Sequence, residues 1–268
     1  MAIITISRGS FSGGKMLAEE IGKALNYRVV SREVLVSGAK NYGVSKDKLA
    51  EALETPPKFW DRFKHERRLY LSIIQAALCD EVIGNRVVYH GHAGHLLLKG
   101  LFPVIKVRVI APVEYRLNLL MKTRSMKENE ALRYIQKKDE ERIRWTKFLY
   151  GVDWYDLDLY DIMINLENVE MDCAVDILMK LAGKKDGKMN EEHWQQLNDH
   201  CLNSHVRAAL ALNEATAAAE IDVSVKNGVV YLSGTVANEI LVEKIIAQAQ
   251  EVPGVKEINR DQFVGMER

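Results

Sequence analysis

Apolar residues along the first 182 positions fall into two alternating kinds of run. Residues 3–6, 26–31, 86–89, 103–110 and 160–165 are short and rich in Ile, Val and Tyr, the pattern of strands buried on both faces. Between them lie stretches with helical spacing: one from Met16 onward, one opened by Arg32-Glu33-Val34-Leu35, and 46–54, which Ser45 can cap and Pro56-Pro57 ends. A long amphipathic stretch covers 58–83, with Phe59, Phe63, Leu69, Ile73, Ala76 and Ala77 on one side. Further helical stretches begin at Leu96 and Pro112, continue as one charged helix over 121–149, and close with 169–181. Strands alternating with helices predict an α/β fold: a five-stranded parallel sheet with right-handed crossovers and helices on both faces.

The pattern changes after Gly183-Lys184-Lys185-Asp186-Gly187-Lys188, which has linker composition. A helix over 193–211 is followed by Ile221, Val223 and Val225 in strict alternation, then Asn227-Gly228, then Val229 to Leu232. Asn-Gly between alternating runs is a strong hairpin signal, because both central residues of that turn take positive φ. A helix over 238–249 and a strand over 255–264 complete an α-β-β-α-β module with both helices on one face of a small sheet. The expected organisation is a domain over 1–182, a linker over 183–192 and a second, independently folding domain over 193–268.

The candidate chemistry sits where the first strand meets the first helix. Gly9-Ser10-Phe11-Ser12-Gly13-Gly14-Lys15 has the spacing of a phosphate-binding P-loop, in which backbone N–H groups and a helix N-terminus converge on phosphate oxygens and a lysine adds a point charge. Met16 stands where most such loops carry a magnesium-binding hydroxyl, and Leu17 supplies none either. Magnesium would then be held through waters and the phosphates themselves, which suits an ion that dehydrates reluctantly.

Composition narrows the function classes. The chain has 268 residues and formal net charge zero, which supports neither a broad nucleic-acid surface nor an anionic-membrane footprint. After Trp194 there are 6 basic and 10 acidic residues, and before it 31 and 27, so the first part is mildly basic, as suits phosphate ligands. Cys79, Cys173 and Cys201 are far apart and read as reduced thiols. With no signal-like N-terminus and no apolar run of spanning length, a cytoplasmic protein is expected.

Two resemblances follow from particular residues. Ile4-Thr5-Ile6-Ser7-Arg8 before Ser12-Gly13-Gly14, Asp139-x-x-Arg142, and Tyr150-Gly151-Val152-Asp153-Trp154 leading to Leu159-Tyr160-Asp161 resemble the cytidylate kinase-like family of P-loop phosphotransferases. The alternating run from Val223 to Val236, with Val252-Pro253-Gly254-Val255, resembles a BON domain, a module thought to bind phospholipid or other ligands. The first resemblance implies transfer of the γ-phosphate of ATP, with Mg2+, to a small acceptor such as a nucleoside monophosphate. The alternative is a nucleotide sensor whose BON module engages a phospholipid, small ligand or protein partner.

The resemblance also assigns roles. Gly9 to Met16 would bind the nucleotide, Lys15 its β/γ phosphates, while Arg142 and Lys147 would face the anion from a lid. Asp139, one turn before Arg142, could orient that arginine or form a surface i,i+3 pair. Family members commonly read Gly-Arg-Gly at the end of the third strand, with an arginine suited to an acceptor phosphate, where this chain has His90-Gly91-His92. CMP is therefore expected to be a poor acceptor unless another residue, such as Arg32 or Arg124, takes over. His90 and His92 are candidates for phosphate or nucleobase contact or for a structural loop. No metal site is expected, because His95 falls on the following helix.

Overall fold

Six consecutive residues, all but the last buried, make β1 (Ile3–Arg8), and a parallel strand buried on both sides takes the centre of its sheet. In the computed structural model, which describes residues 2–38, 42, 64–84, 86–91 and 93–264, four further strands flank it. They are β2 (Arg28–Ser31), β3 (Val87–Gly91), β4 (Val104–Ile110) and β5 (Ile162–Asn165), in the order β2-β3-β1-β4-β5, every pair parallel. The register sets Ser7 beside Gly91 on one side and Arg8 beside Val109 on the other. The C-terminal ends of β1 and β3 thus lie side by side, where ligands of such sheets bind.

The helices of this unit are α1 (Gly14–Leu25), the start of α2 (Arg32–Gly38) through Leu35, α4 (Gly94–Leu97), α5 (Val113–Arg124), α6 (Glu128–Tyr150) and α7 (Met171–Asp186), while α3 (Lys64–Val82) belongs to the second unit. α1 and α7 cover one face of the sheet, with Ile4, Ile6, Leu17, Ile21, Val107, Ile164 and Leu178 in one core. Each such fully buried side chain contributes roughly 1.5–3 kcal/mol. Tyr89 points to the opposite face, where α4 closes over it so tightly that a Cβ at Gly94 would lie 2.2 Å from the ring.

Two expectations along this part are corrected. The helix expected over 121–149 is broken: α5 ends at Arg124, Ser125 turns back with φ 53°, and α6 begins at Glu128. Leu120, Ala131 and Ile135 then meet across the break, which is the apolar contact that holds it. The linker composition at Gly183–Asp186 does not end the helix; α7 runs through Asp186, where Tyr27 donates a 3.3 Å hydrogen bond to the carboxylate. The expected helix over 46–54 and its flanks lie outside the described residues.

The second unit holds α8 (Glu191–Leu212), β6 (Ile221–Lys226), β7 (Val229–Thr235), α9 (Glu239–Gln250) and β8 (Glu257–Val264). Asn190 and Asn238 cap the two long helices, accepting from His193 N and Leu241 N, each at 2.9 Å. β6 and β7 pair antiparallel around Asn227 and Gly228, both at positive φ, and β8 pairs parallel to β7. Leu202, Val206, Val230, Leu232, Val242 and Ile245 form the core, so both helices do cover one face of the sheet. α3, inside the stretch expected as part of the first domain, packs along α8: Gln75 meets His200 at 3.1 Å, and Asp80 meets His205 at 2.8 Å.

Candidate active site

The loop Gly9–Gly13 follows β1 directly, and its glycines are needed for separate reasons. Gly13 caps α1 at φ 84°, and a Cβ there would lie 2.7 Å from the Leu166 side chain. A Cβ on Gly14 would lie 2.8 Å from the Arg8 side chain, so the arginine's aliphatic stem fills the space beside the head of α1. Ser12 turns inward, its hydroxyl donating to the carbonyls of Gly9 at 3.1 Å and Val109 at 3.4 Å. Lys15 and Met16 face outward, Lys15 lying 3.6 Å from Glu19.

A charged clasp holds Ser10. Arg116 donates from Nε to its carbonyl at 2.7 Å and from Nη2 to Asp139 at 2.6 Å, while Asp139 accepts the Ser10 N–H at 3.4 Å. Arg116 is 8 % exposed, so the pair is close to a buried one. Asp139 therefore serves Arg116 first, with Arg142 4.0 Å away, because the break at Ser125 lets α5 and α6 fold against each other beside the loop. Arg142 instead donates to the Arg8 carbonyl at 2.9 Å. Burial and the neighbouring Arg8 guanidinium bring its pKa down to about 10 despite the opposing pull of Asp139.

These groups open onto a cavity of about 660 Å3, lined by Arg8, Ser10–Met16, Arg32, Glu33, His90, Arg124, Lys138, Arg142 and Trp145. Four of its lining residues carry a buried polar atom without a hydrogen-bond partner among the described residues: Arg8 Nε, Ser10 Oγ, His90 Nδ1 and Trp145 Nε1. Burial, then the charge of Arg8, lowers the His90 pKa to about 4, so its imidazole is neutral at pH 7. Glu33 stays below its ordinary value: burial works against ionisation, but hydrogen bonds from Ser31 and from its own backbone N–H, with the Arg32 charge, outweigh it.

Most residues singled out from sequence are brought together here. Arg124 lines the cavity beside Phe11, its guanidinium 5.5 Å from the centre of the Phe11 ring and 3.1 Å from the Tyr134 hydroxyl. Lys147 is exposed and does not line the cavity. His92 lies outside the described residues. Arg8, Glu33, Arg116 and Lys138 were missed as site residues. Their signal was weak: Arg8 is a charge in the last position of a buried strand, and Arg116 a charge one turn after Pro112, an unremarkable helical surface position by pattern alone.

Behind the loop, Ser7 accepts from Trp154 Nε1 at 3.0 Å and from Arg108 at 3.2 Å, and the Arg108 guanidinium lies 3.7 Å from the centre of the Trp154 ring. The residues following α6 thus form a fixed wall against β1. The donor set fits a phosphate chain: glycine-bounded backbone, clustered guanidiniums and unpartnered donors. No hydroxyl follows Lys15, so direct protein coordination of Mg2+ at that point is not available.

Comparison with known proteins agrees with this geometry. Residues 3–168 match the model of the cytidylate kinase-like family, and residues 198–264 that of the BON domain. A cytidylate kinase from Sulfurisphaera tokodaii is 26% identical over 171 residues, covering 63% of this chain and 89% of its own. One from Ignicoccus hospitalis is 24% identical over 184 residues, covering 68% and 99%. Among solved structures, an uncharacterized protein from Eubacterium ventriosum superposes with TM-score 0.53 at 21% identity, over 68% of this chain and 99% of its own, a likeness of fold. No described helix is long and apolar enough to cross a membrane. With the matched model extending from β1 through β5, the chain belongs to the cytidylate kinase-like family and carries a BON domain after it.

Proposed function

We propose that the protein is an ATP-dependent phosphotransferase acting on a small acceptor, a nucleoside monophosphate in the first place, with the BON domain as a ligand-binding module. One observation carries the reading: the glycine loop, Lys15 and the guanidiniums of Arg8 and Arg142 meet at one cavity with unpartnered donors. ATP with Mg2+ supplies the phosphoryl group, the acceptor oxygen forming its bond to phosphorus as the bond to the ADP oxygen breaks with its electron pair. Such a transfer asks the protein mainly for positioning and positive charge. The loop N–H groups and Lys15 bind the phosphate chain, and Lys15 is free to swing inward because its side chain is solvated. Arg142, fixed by the Arg8 carbonyl, offers its remaining donors to the charge that grows in transfer. Arg116 and Asp139 act behind the loop, keeping Ser10 in place.

ADP release from ATP and Mg2+ with a panel of nucleoside monophosphates tests this. We expect one acceptor to raise the rate clearly above that with water, and Lys15→Ala to weaken ATP binding by roughly 1.5–3 kcal/mol in titration calorimetry. Tight ATP binding with no acceptor-dependent turnover across the panel would refute the transferase.

A further inference from the structure

Arg8 is the one arginine lining the cavity whose guanidinium makes no hydrogen bond among the described residues and that touches neither an aromatic ring nor a carboxylate there. Arg142 is tied to the Arg8 carbonyl, Arg124 to Tyr134, and Arg32 has a partner of its own. The stem of Arg8 is locked against Gly14. Burial lowers its pKa, and Glu33, on α2, only partly offsets this. The Nε of this guanidinium is buried without a hydrogen-bond partner among the described residues, an unfavourable state that an anion entering the cavity would relieve.

Its place identifies which anion. Arg8 ends β1, and its neighbours are Gly14 of the loop, Tyr89 and His90 of β3 and Glu33 of α2. These neighbours belong to the phosphate loop and to the β3 and α2 walls of the cavity. Building on the phosphotransferase reading, we propose that Arg8 binds the phosphate of the acceptor. It would fill the charge that His90-Gly91-His92 does not provide, and it makes the acceptor a phosphomonoester rather than a neutral hydroxyl compound. The ground for expecting CMP to be a poor acceptor then disappears.

The test is calorimetry of full-length wild type, Arg8→Met and Arg8→Lys with nucleoside monophosphates and the matching nucleosides, in the presence of a non-hydrolysable ATP analogue. Methionine keeps the packing on Gly14 and removes the charge; lysine keeps the charge and protects the test should methionine unfold the protein. Wild type should prefer one monophosphate over its nucleoside by about 10- to 100-fold, Arg8→Met should erase that preference, and Arg8→Lys should keep part of it. Affinity for the ATP analogue should fall less in Arg8→Met than in Lys15→Ala. A preference that survives Arg8→Met, a wild type that binds no monophosphate better than its nucleoside, or an Arg8→Met effect confined to the ATP analogue would each overturn the assignment. Failure of the transferase reading has a different signature: no acceptor-dependent ADP, whatever Arg8 does to binding.

Discussion

The cavity at the glycine loop, about 660 Å3, and a larger one in the C-terminal unit, about 1040 Å3, differ in how their polar atoms are partnered. In the larger, Asp199 accepts from Gln195 at 2.9 Å and from the N–H groups of Asn227 and Gly228, Asp80 accepts from Tyr42 at 2.7 Å and meets His205, and Asn213 bonds Gln248. Among the described residues, none of its lining residues leaves a buried side-chain polar atom without a partner, whereas four lining the smaller do. Size is therefore the poorer guide. The smaller cavity keeps buried polar groups that an incoming ligand can satisfy, whereas the buried polar groups of the larger are already partnered within the protein.

The widest effect that could break this contrast lies with Arg142. Arg142→Ala should lower turnover by about 10³-fold while ATP affinity stays close to wild type, since its free donors meet charge that exists only during transfer. Equal losses in turnover and affinity would make it an ordinary ground-state contact.

Next comes the clasp. Asp139→Asn leaves Arg116 buried beside a neutral partner and should lower stability by about 3–5 kcal/mol in denaturant titration. Adding Arg116→Met should recover part of that, because the orphaned charge goes with it; a double variant as unstable as the sum of the two singles would show that the pair is not coupled.

The histidines give a pH signature. His90 and His95 both have pKa values lowered to about 4, the first by burial and Arg8, the second by burial with Lys106 and Arg108. The unfolded chain takes up these protons near pH 6.5 and the folded one only near 4, so their neutral burial is fully compatible with folding above pH 6.5, and stability falls as pH drops through that window. The loss should reach up to about 3 kcal/mol for each group. A bound nucleoside monophosphate, placing negative charge near His90, should flatten the acid limb, and His95→Phe should remove a share of it that the ligand does not touch. An acid limb indifferent to both would refute the assignment.

The smallest effect should come from the larger cavity. Asp199→Ala frees the two N–H groups of the Asn227-Gly228 turn and should destabilise the C-terminal unit by about 1–3 kcal/mol, with ATP affinity unchanged within twofold. A marked loss of nucleotide binding would erase the distinction between the two cavities.

Sequence revealed what is local. The strand–loop–helix around Gly9 to Lys15 and the Asn227-Gly228 hairpin are each specified within a few residues, by φ requirements and by alternation. The clasp was hidden because Arg116 and Asp139 are 23 positions apart on two helices, separated by a break at Ser125 that no glycine or proline marks. Where α5 stops likewise decides that the Arg124 guanidinium reaches Phe11 and Tyr134 at the cavity. Arg8 was in view as part of a motif, yet its isolation from partners depends on residues of β3, α2 and α6 that only folding gathers.

Ser10 is gripped through both of its backbone groups, its N–H by Asp139 and its carbonyl by Arg116. A loop restrained in that way has its shape before any nucleotide arrives, so little chain entropy is lost at the encounter and association need not wait for a rearrangement.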